Sequence, residues 1–357
     1  MGSSTPQLVI LVFFTTFLSS TPSHNAAHGY SYSNDTTAGK CGLVDPPAPP
    51  PPPLQPSDFL NMRQYQAYLV IQAFKATITC DPKHVTASWQ QQALRRLPRR
   101  RPPLGNQLAF LDLRFNAFSG AVPGSVFLLS LDVLFLNNNR FRQRLPAELW
   151  SSPAPYLTLA NNGFTGPIPS SIGNASSVLR EVLLLNNRLT GCLPYEIGLL
   201  RNATVFDVGG NLLTGPMPLS FGCLVRLEQL NLAGNLLYGP VPDAVCWLGW
   251  VGSLANLSLS ENFFTSIGPS CWWLLRRGVL DVRRNCIPGF PDQRPVAECV
   301  HFFSFPKFCP FLPSIPCAHF PDWPFKRAAA AVANGEAPLP PKKNYVGYSA
   351  LHNRPGY

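Results

Sequence analysis

"LNLAGNLLYGPVP" (Leu230–Pro242) holds one asparagine, Asn235, inside a leucine-rich run that closes on a glycine and a proline. The arrangement recurs along the chain. "LAFLDLRFNAFSGAVP" starts at Leu108, "LDVLFLNNNRFRQRLP" at Leu131 and "APYLTLANNGFTGPIP" at Ala154. "LREVLLLNNRLTGCLP" starts at Leu179, "ATVFDVGGNLLTGPMP" at Ala203 and "LANLSLSENFFTSIGP" at Leu254. A shortened copy, "VLDVRRNCIPGFP", starts at Val279. The equivalent asparagines are Asn116, Asn139, Asn162, Asn187, Asn211, Asn235, Asn262 and Asn285, spaced by 23, 23, 25, 24, 24, 27 and 23 residues.

A period of this size carrying LxxLxLxxN is the leucine-rich repeat signature. Each LxL is a short strand with both leucines facing inward, and neighbouring copies pair as a parallel sheet. One copy cannot bury its own apolar face; a stack can. The turn after each strand leaves backbone groups inside without ladder partners, and an asparagine amide carries the donors and acceptors to satisfy them. The eight asparagines therefore form an internal structural ladder, and a catalytic role for any one of them is discounted. The fold class predicted is an α/β solenoid, a horseshoe with a parallel β-sheet on its concave face. The "GxxP" endings resemble the plant-specific subclass of the repeat, which implies an extended convex side and a twisted stack; the second copy, with "RQRLP", departs from that form.

The flanks set the remaining boundaries. Residues 1–27 carry an apolar run, Leu8 to Leu18, too short to span a bilayer and followed by small and polar residues, as in a secretory signal peptide. The alternative is a buried strand. Residues 28–57 form a proline-rich leader and residues 58–104 an N-terminal cap. Within that cap Tyr65, Tyr68, Leu69, Gln72, Ala73, Phe74 and Ile78 recur at helical spacing, with Gln72 as a polar interruption, which predicts one amphipathic helix ending near Cys80–Pro82. Repeats fill 105–285, a cysteine-rich cap 286–320, and a disordered tail 321–357. The ten cysteines, with Cys286, Cys299, Cys309 and Cys317 crowded in the C-terminal cap, fit disulfides; a zinc site is the rival, but no CxxC pair is present there. No metal site and no cofactor are expected. Sequons at Asn34, Asn174, Asn202 and Asn256 fit export and glycosylation. No stretch after the leader is continuous enough for a membrane span.

The two ends carry a narrower resemblance. "AYLVIQAFKATITCDP" (67–82), "TGCLPYEIG" (190–198), "FDVGGNLLTGPMPLSFGCL" (206–224) and "LDVRRNCIPGFPDQRP" (280–295) resemble the plant cell-wall leucine-rich repeat extensin-like family. The resemblance implies an extracellular wall protein, whose relatives bind small secreted cysteine-rich signalling peptides and help regulate wall assembly during growth. Two departures stand out. The family's serine–proline extensin blocks do not occur, which brings the chain nearer to relatives without that module. "QQQALRRLPRRRPPLG" (90–105) replaces a cysteine-bearing cap and first repeat with five arginines. That stretch reads as a basic patch, a solvated loop or a misread exon boundary; in the last two cases Cys41 and Cys80 lose their usual partners.

Chemistry is argued against by position. All six histidines lie outside the repeats. A glycosidase needs two carboxyls about 5–9.5 Å apart, whereas the strand-centre acids Asp112, Asp207 and Asp281 belong to copies one, five and eight, roughly 14–19 Å apart at one strand per repeat. The net charge of +10 gathers mainly in the arginine stretch, so nucleic acid is a poor fit for an exported chain. What remains is the concave surface. Its strand centres include Asp112, Phe135, Thr158, Leu183, Asp207, Asn231, Ser258 and Asp281, with Arg114, Tyr156 and Arg283 on the flanks. These are the candidate ligand-binding residues, for a secreted peptide or protein. Pectin is a second candidate partner, and a homodimer stays open. The rival functions are inhibition of microbial pectin-degrading enzymes and a structural wall glycoprotein, the last resting on "YSY" (30–32) and "YVGY" (345–348) as tyrosine cross-linking motifs.

Overall fold

The computed structural model describes residues 8–11, 55–58, 62–81, 86, 108–250, 253–305, 308–309 and 345–352. Eight repeat strands pair in parallel, in chain order, from Leu108–Asp112 through Val133–Phe135, Tyr156–Thr158, Glu181–Leu183, Val205–Asp207, Gln229–Asn231 and Asn256–Ser258 to Leu280–Asp281. Equivalent positions stay in register: Leu134 faces Leu157, and Leu157 faces Val182. Leu134, Leu136, Leu157 and Leu159 are buried, as the LxL pattern requires. A second parallel sheet runs from Thr165–Gly166 through Arg188–Cys192, Leu212–Gly215 and Leu236–Val241 to Phe263–Ile267, on the chain that follows Asn162, Asn187, Asn211, Asn235 and Asn262. Between the sheets, each copy closes on a short 3-10 or α turn that presents an apolar residue inward, such as Leu149, Ile172, Ile197 and Phe221.

The asparagine ladder is built as the repeat predicts. Asn235 donates from Nδ2 to the carbonyls of Val208 (3.0 Å), Leu232 (3.0 Å) and Ala233 (3.2 Å), and its Oδ1 accepts from the backbone N–H of Leu213 (3.0 Å). The amide thus ties its own turn to the preceding copy. Asn116 heads the ladder: it donates to Leu113 (2.9 Å) and Arg114 (3.3 Å), but its buried Oδ1 has no partner. The residue before each ladder asparagine has a left-handed backbone: Phe115, Asn138, Asn161, Asn186, Gly210, Gly234, Glu261 and Arg284. Asparagine and glycine tolerate that region best, which accounts for the doublets "NN", "GN" and "GN" in five of the copies (Asn138–Asn139, Asn161–Asn162, Asn186–Asn187, Gly210–Asn211, Gly234–Asn235).

The caps differ in detail from the sequence reading. The N-terminal helix spans Met62–Thr77 and hands over to strand Ile78–Cys80, which pairs antiparallel with Ser119–Gly120. Phe74 is its buried anchor, with half-buried Val70, Ile71 and, beyond the helix, Ile78 packed beside it, whereas Leu69, expected on that face, is exposed. Phe74 continues a run of rings, 6.1 Å from Phe141, itself 6.2 Å from Phe164, so the cap helix extends the core by one layer. Cys80 is disulfide-bonded, contrary to the expectation that it loses its partner; Cys41, Cys317 and the 90–105 arginine stretch lie outside the described residues. Cys286–Cys299 closes the C-terminal cap, but Cys309 reaches back to Cys192 in the fourth copy, and Cys246 pairs with Cys271.

Two segments expected to stand apart from the solenoid join it. Leu8–Leu11, inside the predicted leader, pairs in parallel with Leu108–Asp112 and adds an edge strand to the concave sheet. The tail, expected to lack structure, contains a helix at Val346–His352. Among the described residues no helix is long and apolar enough to cross a membrane, and no group of three His, Cys, Asp or Glu side chains is placed to hold a metal ion.

Candidate binding groove on the concave face

Because side chains alternate along a strand, each three-residue strand sends its middle residue into the core and its first and third residues onto the concave face. The sequence reading identified the third positions as strand centres. The first positions form a second row, including Val133, Tyr156, Glu181, Val205, Gln229 and Asn256.

The tail helix lies across this face. Its start is held by Glu181, whose Oε1 accepts from the backbone N–H of Val346 (3.2 Å) and whose Oε2 accepts from Gly347 (2.5 Å). Tyr345 donates to Glu228 Oε2 (2.9 Å) and accepts from Gln229 Nε2 (3.3 Å). Tyr348 donates to Asp207 Oδ2 (2.8 Å). Further along, the carbonyl of Ala350 accepts from Arg114 Nη1 and from Asn137 Nδ2, both at 3.2 Å. The apolar contacts alternate with these bonds. Ala350 packs among Val133, Phe135 and Tyr156, while Tyr345, Tyr348 and Leu351 pack on Ala160, Leu183 and Val205. These two clusters are separate from the repeat core.

This placement corrects the expected exposure of the face. Phe135, Thr158, Leu183 and Asp207 are buried, because the tail covers them, whereas Tyr156 and Asn231 are half-buried. Asp112 and Arg114 form an ion pair (2.9 Å), and the Arg114 guanidinium lies 5.2 Å from the Phe135 ring centroid. Asp281 and Arg283 pair at 2.8 Å near the other end of the sheet, remote from the tail. Glu181, Glu228, Tyr345 and Tyr348 were absent from the sequence-derived site. Glu181 shares the first-position row with Tyr156, the one residue of that row the sequence reading named, and "YVGY" had drawn attention only as a cross-linking motif.

Burial sets the charge states. It pushes the carboxyls of Asp207, Glu181 and Asp112 above their usual range, opposed at Asp207 by hydrogen bonds from Gly209, Tyr348 and Asn231, at Glu181 by the Gly347 and Val346 amides, and at Asp112 by Arg114. Tyr345 is pushed up to about 12 by burial, and Tyr348 higher still, first by burial and then by the Asp207 charge. Both phenols therefore stay protonated and remain donors. At Asp281 the hydrogen bond from Arg283 lowers the carboxyl below its ordinary range.

Beside the tail a groove of about 1350 Å³ stays open. Its wall carries a second amide chain outside the core, in which Asn186 Nδ2 donates to Asn161 Oδ1 and Asn161 Nδ2 donates to Asn138 Oδ1, both at 2.8 Å. Exposed Arg140, Arg142 and Arg188 line one rim, and exposed Asn256 sits at the far side. The other described sequons are on the outside of the stack. Asn174 is exposed, and Asn202 uses its amide to bond Ser177 O (2.9 Å) and Arg226 (3.0 Å); Asn34 lies outside the described residues.

Comparison with known proteins places this architecture. The family model described as Leucine Rich Repeat matches residues 156–175. Over 182 residues the chain is 48% identical to leucine-rich repeat extensin-like protein 6 of Arabidopsis thaliana, covering 51% of this chain and 37% of that protein. Over half its length the chain resembles the leucine-rich repeat extensin-like proteins. Leucine-rich repeat extensin-like protein 7 of the same plant is 37% identical over 185 residues, 52% of this chain and 41% of that one. The chain therefore spans about two fifths of the length of these curated proteins. Among solved structures, the repeat ectodomain of the Arabidopsis receptor kinase HAESA, in complex with an extended IDA peptide hormone, aligns with a TM-score of 0.49 at 23% identity, covering 62% of this chain and 41% of that one.

Proposed function

We propose that this extensin-like relative is an exported, non-enzymatic wall protein whose concave face binds a peptide or small protein segment in wall assembly or growth. The observation that carries the reading is the seating of residues 345–352: one short segment meets shaped apolar contacts, two phenol-specific carboxylates and an end-specific carboxylate on the same face. A face that recognises a segment at both ends and in the middle has the chemistry of a peptide site, and solenoids offer long concave surfaces for it. Kinship with extensin-like proteins supports the extracellular setting. Hydrolysis is disfavoured, since Glu181, Glu228 and Asp207 are each committed to hydrogen bonds that hold the tail.

The test is capture from wall extract by the purified, glycosylated chain, with bound material identified by mass. Recovery of a secreted cysteine-rich peptide, lost on adding Phe135→Ala with Tyr156→Ala, supports the reading. Recovery of a microbial polygalacturonase instead would move the function to defence, and recovery of pectin alone to a structural role.

A further inference from the structure

We infer that the concave groove is a site for a short tyrosine-bearing helix, and that residues 345–352 are its resident, exchangeable ligand: the tail competes in cis with any segment that binds there. The inference deepens the peptide-binding reading and rests on it. Three observations point to exchange rather than to a permanent part of the core. The tail contacts form two small clusters outside the continuous repeat core, so the solenoid keeps its packing when the tail leaves. The helix is only Val346–His352, contains Gly347, and meets the carboxylate that receives its first amides on another element, Glu181. A helix of that length does not hold itself together in water, so its order depends on the groove.

The third observation is an imperfect fit. Thr158 is fully buried beneath the tail, yet its hydroxyl has no hydrogen-bond partner, and the buried Oδ1 of Asn137 has none either, although Asn137 Nδ2 reaches Ala350 O. Ala350, whose carbonyl accepts from Asn137 and whose side chain packs on Phe135, the register neighbour of Thr158, offers no side-chain polar atom. A competing segment that presents the same tyrosine pair and places a hydroxyl or amide where Ala350 lies would satisfy groups that the tail leaves unmatched, and would displace it. Tethering makes the resident tail a strong competitor despite the poor fit, because a covalent connection turns its binding into an intramolecular event with a high effective concentration, of the order of millimolar for favourable links.

The experiment uses the full chain and a dye-labelled synthetic peptide of residues 344–353, with binding read by fluorescence anisotropy. Wild-type chain is expected to bind the peptide at least about tenfold more weakly than the full chain carrying Tyr345→Ala and Tyr348→Ala, the ratio that arises when the tail's effective concentration is about ten times its dissociation constant or more. Tyr348→Phe, which removes only the hydroxyl bond to Asp207, gives an intermediate value and guards against a misfolded double variant. A peptide with Ala350→Ser binds the double variant more tightly than the parent peptide. Equal binding by wild type and double variant overturns the proposal, as does no binding by a double variant with an unchanged near-ultraviolet spectrum. A wild-type dimer that becomes monomeric in the double variant, read by light scattering, overturns the cis assignment in favour of a second copy. Failure to capture any secreted peptide, with the tail peptide still binding in trans, counts against the proposed function alone.

Discussion

Tyr348 donates its hydroxyl to Asp207 at 2.8 Å, joining a tail residue to the middle of the concave sheet across 141 positions of sequence. The bond places a carboxylate where water is nearly excluded. It also gives Asp207 a use that suits recognition better than catalysis: the acid is held by Gly209 N–H (2.9 Å), by Asn231 Nδ2 (3.1 Å) and by the phenol at once.

Burial raises the Asp207 carboxyl, and that fixes the sign of a pH effect. A carboxyl raised in the folded state contributes most below its unfolded value, about 3.9, and loses that contribution as pH climbs through the folded value. Relative to Asp207→Asn, wild type should therefore lose stability as pH climbs above about 4. Urea unfolding of both chains across that range checks it. A wild type that gains on the variant as pH rises would show that hydrogen bonds outweigh desolvation at this carboxyl.

The ladder predicts a second, position-dependent effect. Asn162 donates to Leu136, Leu159 and Ala160 carbonyls at 3.0–3.1 Å and accepts from Phe141 N–H at 3.2 Å. Asn162→Ala leaves those buried groups unpaired, at about 1–3 kcal/mol. The melting temperature should fall by several degrees, at about 2–4 °C per kcal/mol for a domain of this size. Asn116→Ala should cost less, because the Asn116 Oδ1 has no partner to lose. Calorimetry on the two variants settles the order; equal losses would contradict the ladder account.

Most of the solenoid was legible because its signals are local and repeated. The inward leucines, the asparagine rungs and the left-handed residue before each rung all sit within one copy of the repeat, so one copy reads like the next. The groove was legible only in part. Phe135, Thr158 and Asp207 were read as concave-face residues, but their burial depends on a tail 141 positions beyond Asp207 and farther still from Phe135 and Thr158, for which neither periodicity nor a capping residue gave warning. The Cys192–Cys309 bridge was hidden for the same reason: its two cysteines are 117 positions apart, and pairing follows from how the stack brings the second sheet under the C-terminal cap.

That bridge yields a third expectation. Gly215 has φ +91°, and a Cβ there would run into Cys309 Sγ, with Cys192 Sγ 3.5 Å away. Gly215→Val should prevent closure of the bridge and expose two titratable thiols, in a chain whose described cysteines are all paired. Thiol titration under denaturing conditions gives the count; an unchanged value would mean that the cap shifts to accept the side chain.

The aromatic floor gives a fourth. Phe135 and Tyr156 pack on Ala350 rather than on the repeat core. Phe135→Ala with Tyr156→Ala should loosen the tail while lowering the melting temperature less than Asn162→Ala does. Calorimetry beside hydrogen exchange separates the two effects, and a larger loss of melting temperature in the aromatic pair would place these rings in the core.

The most direct test of the occupied groove is hydrogen–deuterium exchange at the backbone amides of Val346 and Gly347, followed by mass spectrometry of the tail peptide. Both amides donate to Glu181. They should exchange slowly in the wild-type chain, at coil rates in Glu181→Ala, and at coil rates when a competing peptide fills the groove. Coil-like exchange of both amides in the untouched wild-type chain would contradict a docked tail, and with it the account of the concave face as a peptide groove.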